Sequence, residues 1–145
     1  MTLDDFLSKE QQEQVVTAIA AAELLTSGEI RVHVTPRCRG DVVRAAARAF
    51  DRLKMYRTRH RNGVLIFVAF ESRKLAVLGD VGIDRKVPFN YWTDELTLLA
   101  DYLRDGDAAT GLRTVIARIG NKLAEFFPHE EDDIDELTND ISYED

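Results

Sequence analysis

Residues 62–83 read NGVLIFVAFESRKLAVLGDVGI and contain the two apolar runs that decide the fold. The first run, residues 64–70, is apolar without interruption, which predicts a strand covered on both faces by other elements. A polar turn at residues 71–74 separates it from a second β-prone run at residues 75–78. This spacing predicts an antiparallel hairpin, and we expect its first arm to be the central strand of a sheet.

The segment before the hairpin predicts a strand and a helix. Ile30, Val32 and Val34 alternate with polar residues, which is the period of a strand with one buried face and one wetter face. An amphipathic pattern over residues 42–53 follows Asp41, which is a favourable N-cap residue. A strand, a helix and a strand in this order form a βαβ unit, so the strands beginning near Ile30 and Val64 are predicted to be parallel.

Three further helices are predicted from apolar periodicity and from their end signals. The first follows Ser8, which forms a capping-box pattern with Gln11 and precedes a pattern that runs to about residue 25. The second begins near Pro88, and the third lies between Asp107 and Pro128. Four helices around about three strands predict a layered α/β sandwich rather than a bundle or a barrel.

The acidic residues are concentrated at the C-terminus. Residues 129–145 hold nine of the 26 Asp and Glu residues and no Lys or Arg, so the 145-residue chain has a net charge of −7 while its body is near neutral. We therefore expect an α/β domain over residues 1–128 and an acidic tail over residues 129–145. Ile134, Leu137 and Ile141 are spaced so that the tail can dock on the body. The acidic net charge argues against nucleic acid as a partner.

The N-terminus lacks the basic start and apolar run of a secretion signal, and no segment reaches membrane-spanning length. We therefore expect a soluble, cytoplasmic protein with no membrane insertion. The single cysteine, Cys38, agrees with a reducing compartment because it cannot close an internal disulfide. Cys38 lies between two arginines, but no base partner is evident, so we expect a passive surface thiol.

The predicted topology brings several polar residues to one end of the sheet. If the first two strands are parallel and the third returns antiparallel, Glu29, Asn62 and Asp80 meet at that end. The adjoining loops carry Thr58, Arg59, Arg61 and Asp84. A hard cation such as Ca²⁺ or Mg²⁺ prefers oxygen ligands, which Asp80, Asp84 and Glu29 could supply. The alternative is structural: Asp80 caps a turn, Asp84 starts the next helical segment, and the arginines form a solvated surface.

Four motifs together resemble the TPM domain family. They are TSGEIRVHV at residues 26–34, RNGVLIFVA at residues 61–69, LGDVGI at residues 78–83 and Gly111-Leu112 before the last helix. The family includes a thylakoid-lumen protein tied to photosystem II repair and a modulator of nematode acetylcholine receptors. The resemblance implies a three-layer α/β/α sandwich, Rossmann-like, with a mixed sheet and a central β-hairpin between flanking helices.

The resemblance also implies functions. Acid phosphatase activity is attributed to a plant member, and divalent cations are associated with the fold. Many members are exported and membrane-anchored, whereas this chain resembles the short, soluble bacterial branch, whose tail pattern is matched at Phe127-Pro128, residues 132–133, Glu136-Leu137 and Ile141-Ser142.

Two functional hypotheses follow. The first is a non-catalytic binding or interaction module, monomeric and with an unidentified protein partner, that holds Ca²⁺ or Mg²⁺ near Asp80. The second is a metal-dependent phosphomonoesterase in which Asp80, Asp84 and Glu29 hold the ion and Arg59 or Arg61 orients the phosphate.

Overall fold

The computed structural model describes residues 2–131 and 137–145. Its helices are α1 (Leu3–Phe6), α2 (Lys9–Glu23), α3 (Val42–Arg52), α4 (Val81–Asp84), α5 (Tyr91–Arg104) and α6 (Ala108–Phe126), with a 3-10 turn at Met55–Arg57. Its strands are β1 (Glu29–Thr35), β2 (Gly63–Ala69), β3 (Lys74–Gly79) and β4 (Ser142–Tyr143).

The mixed sheet has the strand order β3-β2-β1-β4. β1 is parallel to β2, with Glu29 opposite Gly63 and Thr35 opposite Ala69. β3 pairs with β2 in the antiparallel sense, which places Gly79 opposite Val64. The predicted βαβ unit and hairpin are thus confirmed, and β2 is buried along its whole length because helices cover both faces of the sheet.

Two apolar clusters, one on each face of the sheet, form the three layers. On one face, α2, α5 and α6 pack against β1 and β2 through residues such as Ile19, Leu99, Ile116, Ile30 and Ile66. On the other face, Ala46 and Ala49 of α3 pack with Met55, Leu65 and Phe67. The alternation of β2 side chains between the two clusters confirms the α/β/α sandwich.

The helix boundaries follow from local end signals. Ser8 accepts from the backbone N–H of Gln11 while the Gln11 side chain accepts from that of Ser8, which forms the predicted capping box of α2. Asp41 caps α3 by accepting from the N–H of Val43, and Asp107 caps α6. α5 begins at Tyr91, three residues after Pro88, and the Pro88 carbonyl accepts from the Tyr91 N–H.

The predicted wetter face of β1 is found only at Arg31, which is partly exposed, and the prediction was wrong for His33 and Thr35. His33 and Thr35, on the face towards α3, are only 3% and 8% exposed. The reason is that this face is covered as well: His33 stacks on Phe67 of β2, and its Nδ1 lies 2.9 Å from Oγ of Ser142 in β4. The alternation of a strand in the sequence shows which residues are polar. Whether these polar residues are buried depends on the elements that pack on that face of the sheet.

The C-terminal segment docks on the body, as predicted. β4 adds to the sheet in parallel beside β1, with Ser142 opposite His33. Ile141 packs against the cluster under α2 and α6, and Leu137 packs against the cluster under α3. Ile134, the third residue predicted to dock, lies outside the described residues.

None of the helices within residues 2–131 and 137–145 combines the length and the apolar character needed to cross a membrane.

Candidate functional site

The end of the sheet at which β1 and β2 begin and β3 ends, here called the Asp80 end, gathers the predicted site residues. Glu29 is opposite Gly63, the residue after Asn62, and the Asp80 N–H donates to the Gly63 carbonyl at 2.9 Å. The strand directions therefore place Glu29, Asn62 and Asp80 at one end, as the topology predicted. Asp80 and Glu29 are 6% and 2% exposed.

Asp80 makes a two-point ion pair with Arg61. Nε and Nη2 of Arg61 lie 2.7 Å and 2.8 Å from the two carboxylate oxygens of Asp80. This hydrogen bonding raises the pKa of Arg61. The carboxylate is almost fully buried while the guanidinium is about half exposed, with side-chain exposures of 4% and 47%. Arg61 thus covers Asp80 from the solvent side.

The two glycines that flank Asp80 are required by close packing. A Cβ atom on Gly82 would lie 2.1 Å from the His60 carbonyl oxygen and 2.6 Å from that of Arg61. On Gly79 it would overlap the Trp92 ring. Asp80 itself is the N-cap of α4 and accepts from the Val81 N–H. The close contacts press the turn after β3 against the loop that carries Arg61.

The other predicted residues are tied to different partners. Glu29 Oε1 accepts from the Leu137 N–H at 2.6 Å, and Thr58 Oγ1 accepts from the Asn62 N–H at 3.1 Å. Asp84 ends α4, is exposed, and accepts from the Trp92 indole at 2.9 Å. Arg59 lies 3.8 Å from Glu130. The structure thus joins Arg61 to Asp80 and directs Asp84 and Glu29 to separate donors.

These residues fit a divalent cation only in part. Within the described ranges, no group of three or more His, Cys, Asp or Glu side chains is arranged to hold a metal ion. Two groups with suitable oxygens are present at this end, however. The Asp80 carboxylate is one, and Asn62 Oδ1, which is buried and lacks a donor among the described residues, is the other.

Exposed apolar side chains border the Asp80 end, which sequence reasoning missed. Large, exposed hydrophobic residues occur just before β1, in the 3-10 turn before β2, beside Asp80 and before α5, where Phe89 is fully exposed. They are Leu24, Leu25, Tyr56, Val81 and Phe89, and Val43 on α3 is a further exposed one outside this region. Their exposure could not be read from the sequence because each lies at an element end.

Two cavities lie towards the opposite end, where β1 and β2 finish. One, of about 510 Å³, is largely apolar and lies between Phe6, Phe70, Leu75 and Leu103. The other, here called the basic cavity, has a volume of about 180 Å³ and is lined by Cys38 and by several arginines. Cys38 is only 7% exposed, so the prediction of a surface thiol was wrong. The sequence signal for the basic cavity was the spacing of Arg48 and Arg52, one helical turn apart after Arg37 and Arg39.

Comparison with known proteins identifies the family. A family model described as TPM domain matches residues 2–122. The chain is similar to the BA42 protein from the psychrophilic bacterium Bizionia argentinensis, whose NMR structure matches with 40% sequence identity and a TM-score of 0.89, covering 96% of each chain. No curated protein matches the chain. The chain therefore belongs to the TPM domain family.

Proposed function

We propose that the protein is a non-catalytic binding module whose interaction surface is the Asp80 end of the sheet. The observation that carries this proposal is the exposure of large apolar side chains in the segments that lead into and out of this end of the sheet, where the buried Asp80 forms an ion pair with Arg61. Leu25, Val81 and Phe89 are 53%, 45% and 106% exposed. Apolar side chains around a charged pair are typical of protein-binding surfaces, in which aromatic anchors surround a desolvated polar contact.

Substitution of this surface tests the proposal against a matched control. The double variant Val81→Ser with Phe89→Ser should lose capture of a specific protein from the source cell, because it removes exposed apolar area without touching the core. Val43→Ser removes one exposed apolar residue on α3 and should capture as the wild type does. Equal capture by all three proteins, measured by quantitative mass spectrometry, would contradict the proposal.

We propose further that Ca²⁺ or Mg²⁺ binds at Asp80 by replacing the Arg61 guanidinium. A cation prefers carboxylate oxygens, and Arg61 is the side chain that occupies both of them on the solvent side. Asn62 Oδ1 is a further oxygen at this end, and Glu29 and Asp84 are the remaining acids. The ion and Arg61 compete for the Asp80 carboxylate. The ion must break the Arg61–Asp80 ion pair, so the wild type binds the ion more weakly than a variant without Arg61 would.

Calorimetric titration with each ion tests this exchange. Arg61→Ala should bind several-fold more tightly than the wild type and should regain its lost thermal stability when Ca²⁺ is added. Asp80→Asn should bind neither ion. Arg59→Ala removes an arginine from the same loop that does not contact Asp80, and its affinity should equal that of the wild type. Equal heats for Arg61→Ala and Asp80→Asn would exclude Asp80 as a ligand.

The second candidate function is a metal-dependent acid phosphatase. The observation in its favour is the half-exposed Arg61 beside a buried carboxylate, because a guanidinium next to a bound ion can hold a phosphate by two hydrogen bonds. In this mechanism Asp80, Asp84 and Glu29 would hold the ion, and Arg59 or Arg61 would orient the phosphate. Hydrolysis of p-nitrophenyl phosphate that requires Mg²⁺ or Ca²⁺ and is lost in Asp80→Asn would establish it. Absence of ion-dependent hydrolysis in the wild type leaves the binding function.

We propose that the protein acts as a monomer in the cytoplasm. The unpaired thiol of Cys38 suits a reducing compartment, and the net charge of −7 disfavours nucleic acid as the partner.

A further inference from the structure

The basic cavity lies at the opposite end of the sheet from Asp80, about 20 Å away along the seven residues of β1. Arg37 and Arg39 line it from the loop after β1, and Arg48 and Arg52 line it from α3. Glu144 is the acidic residue among the side chains that line it. Guanidinium groups from two elements thus face one cavity, which is a different arrangement from a row of solvated charges on one helix.

Two of these arginines are available to a ligand. Arg52 pairs with Glu144 at 3.0 Å, and Arg37 lies 3.8 Å from Glu71. Arg39 and Arg48 have no ion-pair partner in the part of the chain that the structure describes. Within the described residues, Glu144 is the one acid that lines the cavity and it pairs with Arg52, so the charges of Arg39 and Arg48 repel each other and a bound anion would stabilise them.

The chain already places one carboxylate at this cavity. The Glu144 N–H donates to the Val34 carbonyl at 3.0 Å, which positions the Glu144 side chain so that Oε2 accepts from Arg52. This carboxylate is held by the short strand β4 and is about half exposed. Glu144 therefore shows the preference of the cavity for oxyanions, and it competes for Arg52 with any anion from solution.

The floor of the cavity is buried and polar. His33, Thr35 and Cys38 line it and are buried, and the His33 ring stacks on Phe67. A volume of about 180 Å³ is sufficient for a tetrahedral oxyanion of five heavy atoms. A phosphate carries about 1.5 to 2 negative charges at neutral pH and accepts paired hydrogen bonds from arginine, which matches the two guanidinium groups that have no ion-pair partner among the described residues.

We propose that the basic cavity is a binding site for a phosphate group, held by Arg39, Arg48 and Arg52. The group is either inorganic phosphate or the phosphate of a small monoester.

Titration with inorganic phosphate, against sodium chloride at equal ionic strength, tests the site. Thermal shift and calorimetry should show saturable binding to the wild type with a Kd of about 1 mM. Arg48→Gln should bind about tenfold more weakly because it removes one charged hydrogen-bond donor. Its fold should be unchanged, since Arg48 is exposed and has no described ion-pair partner. Arg44→Gln removes the same charge from α3 outside the cavity and should bind within about twofold of the wild type.

Glu144→Gln gives a result that a structural role would not produce. It frees Arg52 from its internal carboxylate, so phosphate should bind several-fold more tightly than in the wild type. Unchanged affinity in both Arg48→Gln and Glu144→Gln, or equal weakening by Arg44→Gln and Arg48→Gln, would overturn the proposal. So would a phosphate response that chloride reproduces.

Amide NMR shifts locate the bound group and identify its source. Phosphate should shift the amide signals of Cys38 and Arg39 and leave those of Gly63 and Asp80 unchanged; the reverse pattern would overturn the proposal. Tighter binding of phenyl phosphate than of inorganic phosphate would assign a monoester, and equal or weaker binding would assign the inorganic ion. Arg48→Gln should weaken phosphate binding and leave the Ca²⁺ titration unchanged, so this proposal and that for the Asp80 end are tested independently.

Discussion

Position 82, close to Asp80, requires glycine because the backbone of another loop lies in contact with it. The His60 and Arg61 carbonyl oxygens lie where a Cβ atom on Gly82 would stand, and the Gly82 N–H donates to the Arg61 carbonyl at 2.8 Å. Arg61 has a left-handed φ of 51°, a conformation that non-glycine residues rarely adopt. The contact with Gly82 therefore supports the strained residue that covers Asp80.

Substitution of Gly82 should cost more than substitution of a glycine in a strained but open turn. Gly82→Ala forces the backbone of residues 60–61 to move, and we expect it to lower the free energy of unfolding by about 2–3 kcal/mol. A Cβ atom on Gly106 would meet no atom within 4 Å, so Gly106→Ala is disfavoured only by the positive φ of 76°. We expect it to lower the free energy of unfolding by about 1 kcal/mol. Urea unfolding of both variants measures the difference, and equal losses would show that the Gly82 contact relaxes freely.

His33 should make stability depend on pH. Burial lowers the pKa of His33 below its ordinary value of 6.5. The charges of Arg52 and Arg31 lower this pKa further, whereas the charge of Glu144 opposes the change by raising it. As the pH falls, the unfolded chain therefore binds a proton at His33 at a higher pH than the folded chain does. The free energy of unfolding is unaffected by His33 well above about pH 6.5 and decreases as the pH falls below that value.

Between about pH 7.5 and pH 5.5, this proton uptake should cost up to about 1.4 kcal/mol of unfolding free energy. His33→Gln should flatten that part of the pH profile. A wild-type slope in the His33→Gln variant would assign the effect to other groups.

At the scale of elements, the sequence predicted the four long helices and the three long strands because their signals are local, whereas the four-residue helices α1 and α4 were not predicted. The capping box at Ser8, the cap at Asp41 and the uninterrupted apolar run after Gly63 each depend on neighbours within a few residues. β4 has two residues and pairs across a sequence separation of about a hundred, so no local pattern marks it. Its docking also explains why His33 is buried.

The candidate sites divide in the same way. Strand direction was sufficient to bring Glu29, Asn62 and Asp80 to one end. It was not sufficient to pair Arg61 with Asp80, because that contact depends on the left-handed φ of Arg61 and on the approach of Gly82. The arginines of the basic cavity come from two separate segments, the loop after β1 and α3, and only the packing of these segments brings them together.

Removal of β4 should destabilise the sheet edge that it covers. Truncation after Asp140 removes Ile141 and Tyr143, both packed against the main cluster, and the strand pairing with β1. We expect a loss of about 2 kcal/mol, seen as a lower Tm in calorimetry. Removal of Asp145 alone should leave Tm within about 1 °C, because that residue is exposed. An unchanged Tm after the longer truncation would mean that the docked segment contributes no net stability.

Over the whole molecule, one sheet separates two apolar clusters that share the residues of β2. The cluster under α2, α5 and α6 is the larger, and the cluster under α3 contains small residues such as Ala46 and Ala49. In the described part of the chain, both clusters pack on this one sheet. Unfolding of either cluster therefore exposes every second side chain of β2, the strand that both clusters share. The unfolding of one face is thereby coupled to that of the other.

This coupling predicts that both faces unfold together. Trp92, the single tryptophan, packs against the larger cluster, and Cys38, the single cysteine, belongs to the cluster under α3, so each face has its own probe. Trp92 fluorescence and the reactivity of Cys38 towards a neutral thiol reagent should change at the same urea concentration. If Cys38 became reactive at clearly lower urea while Trp92 stayed native, the α3 face would be a separate unit of lower stability. In that case, phosphate bound in the basic cavity should raise the urea midpoint for Cys38 reactivity and leave that for Trp92 fluorescence unchanged, which brings the two midpoints together. The reason is that a ligand stabilises only the unit whose unfolding destroys its site.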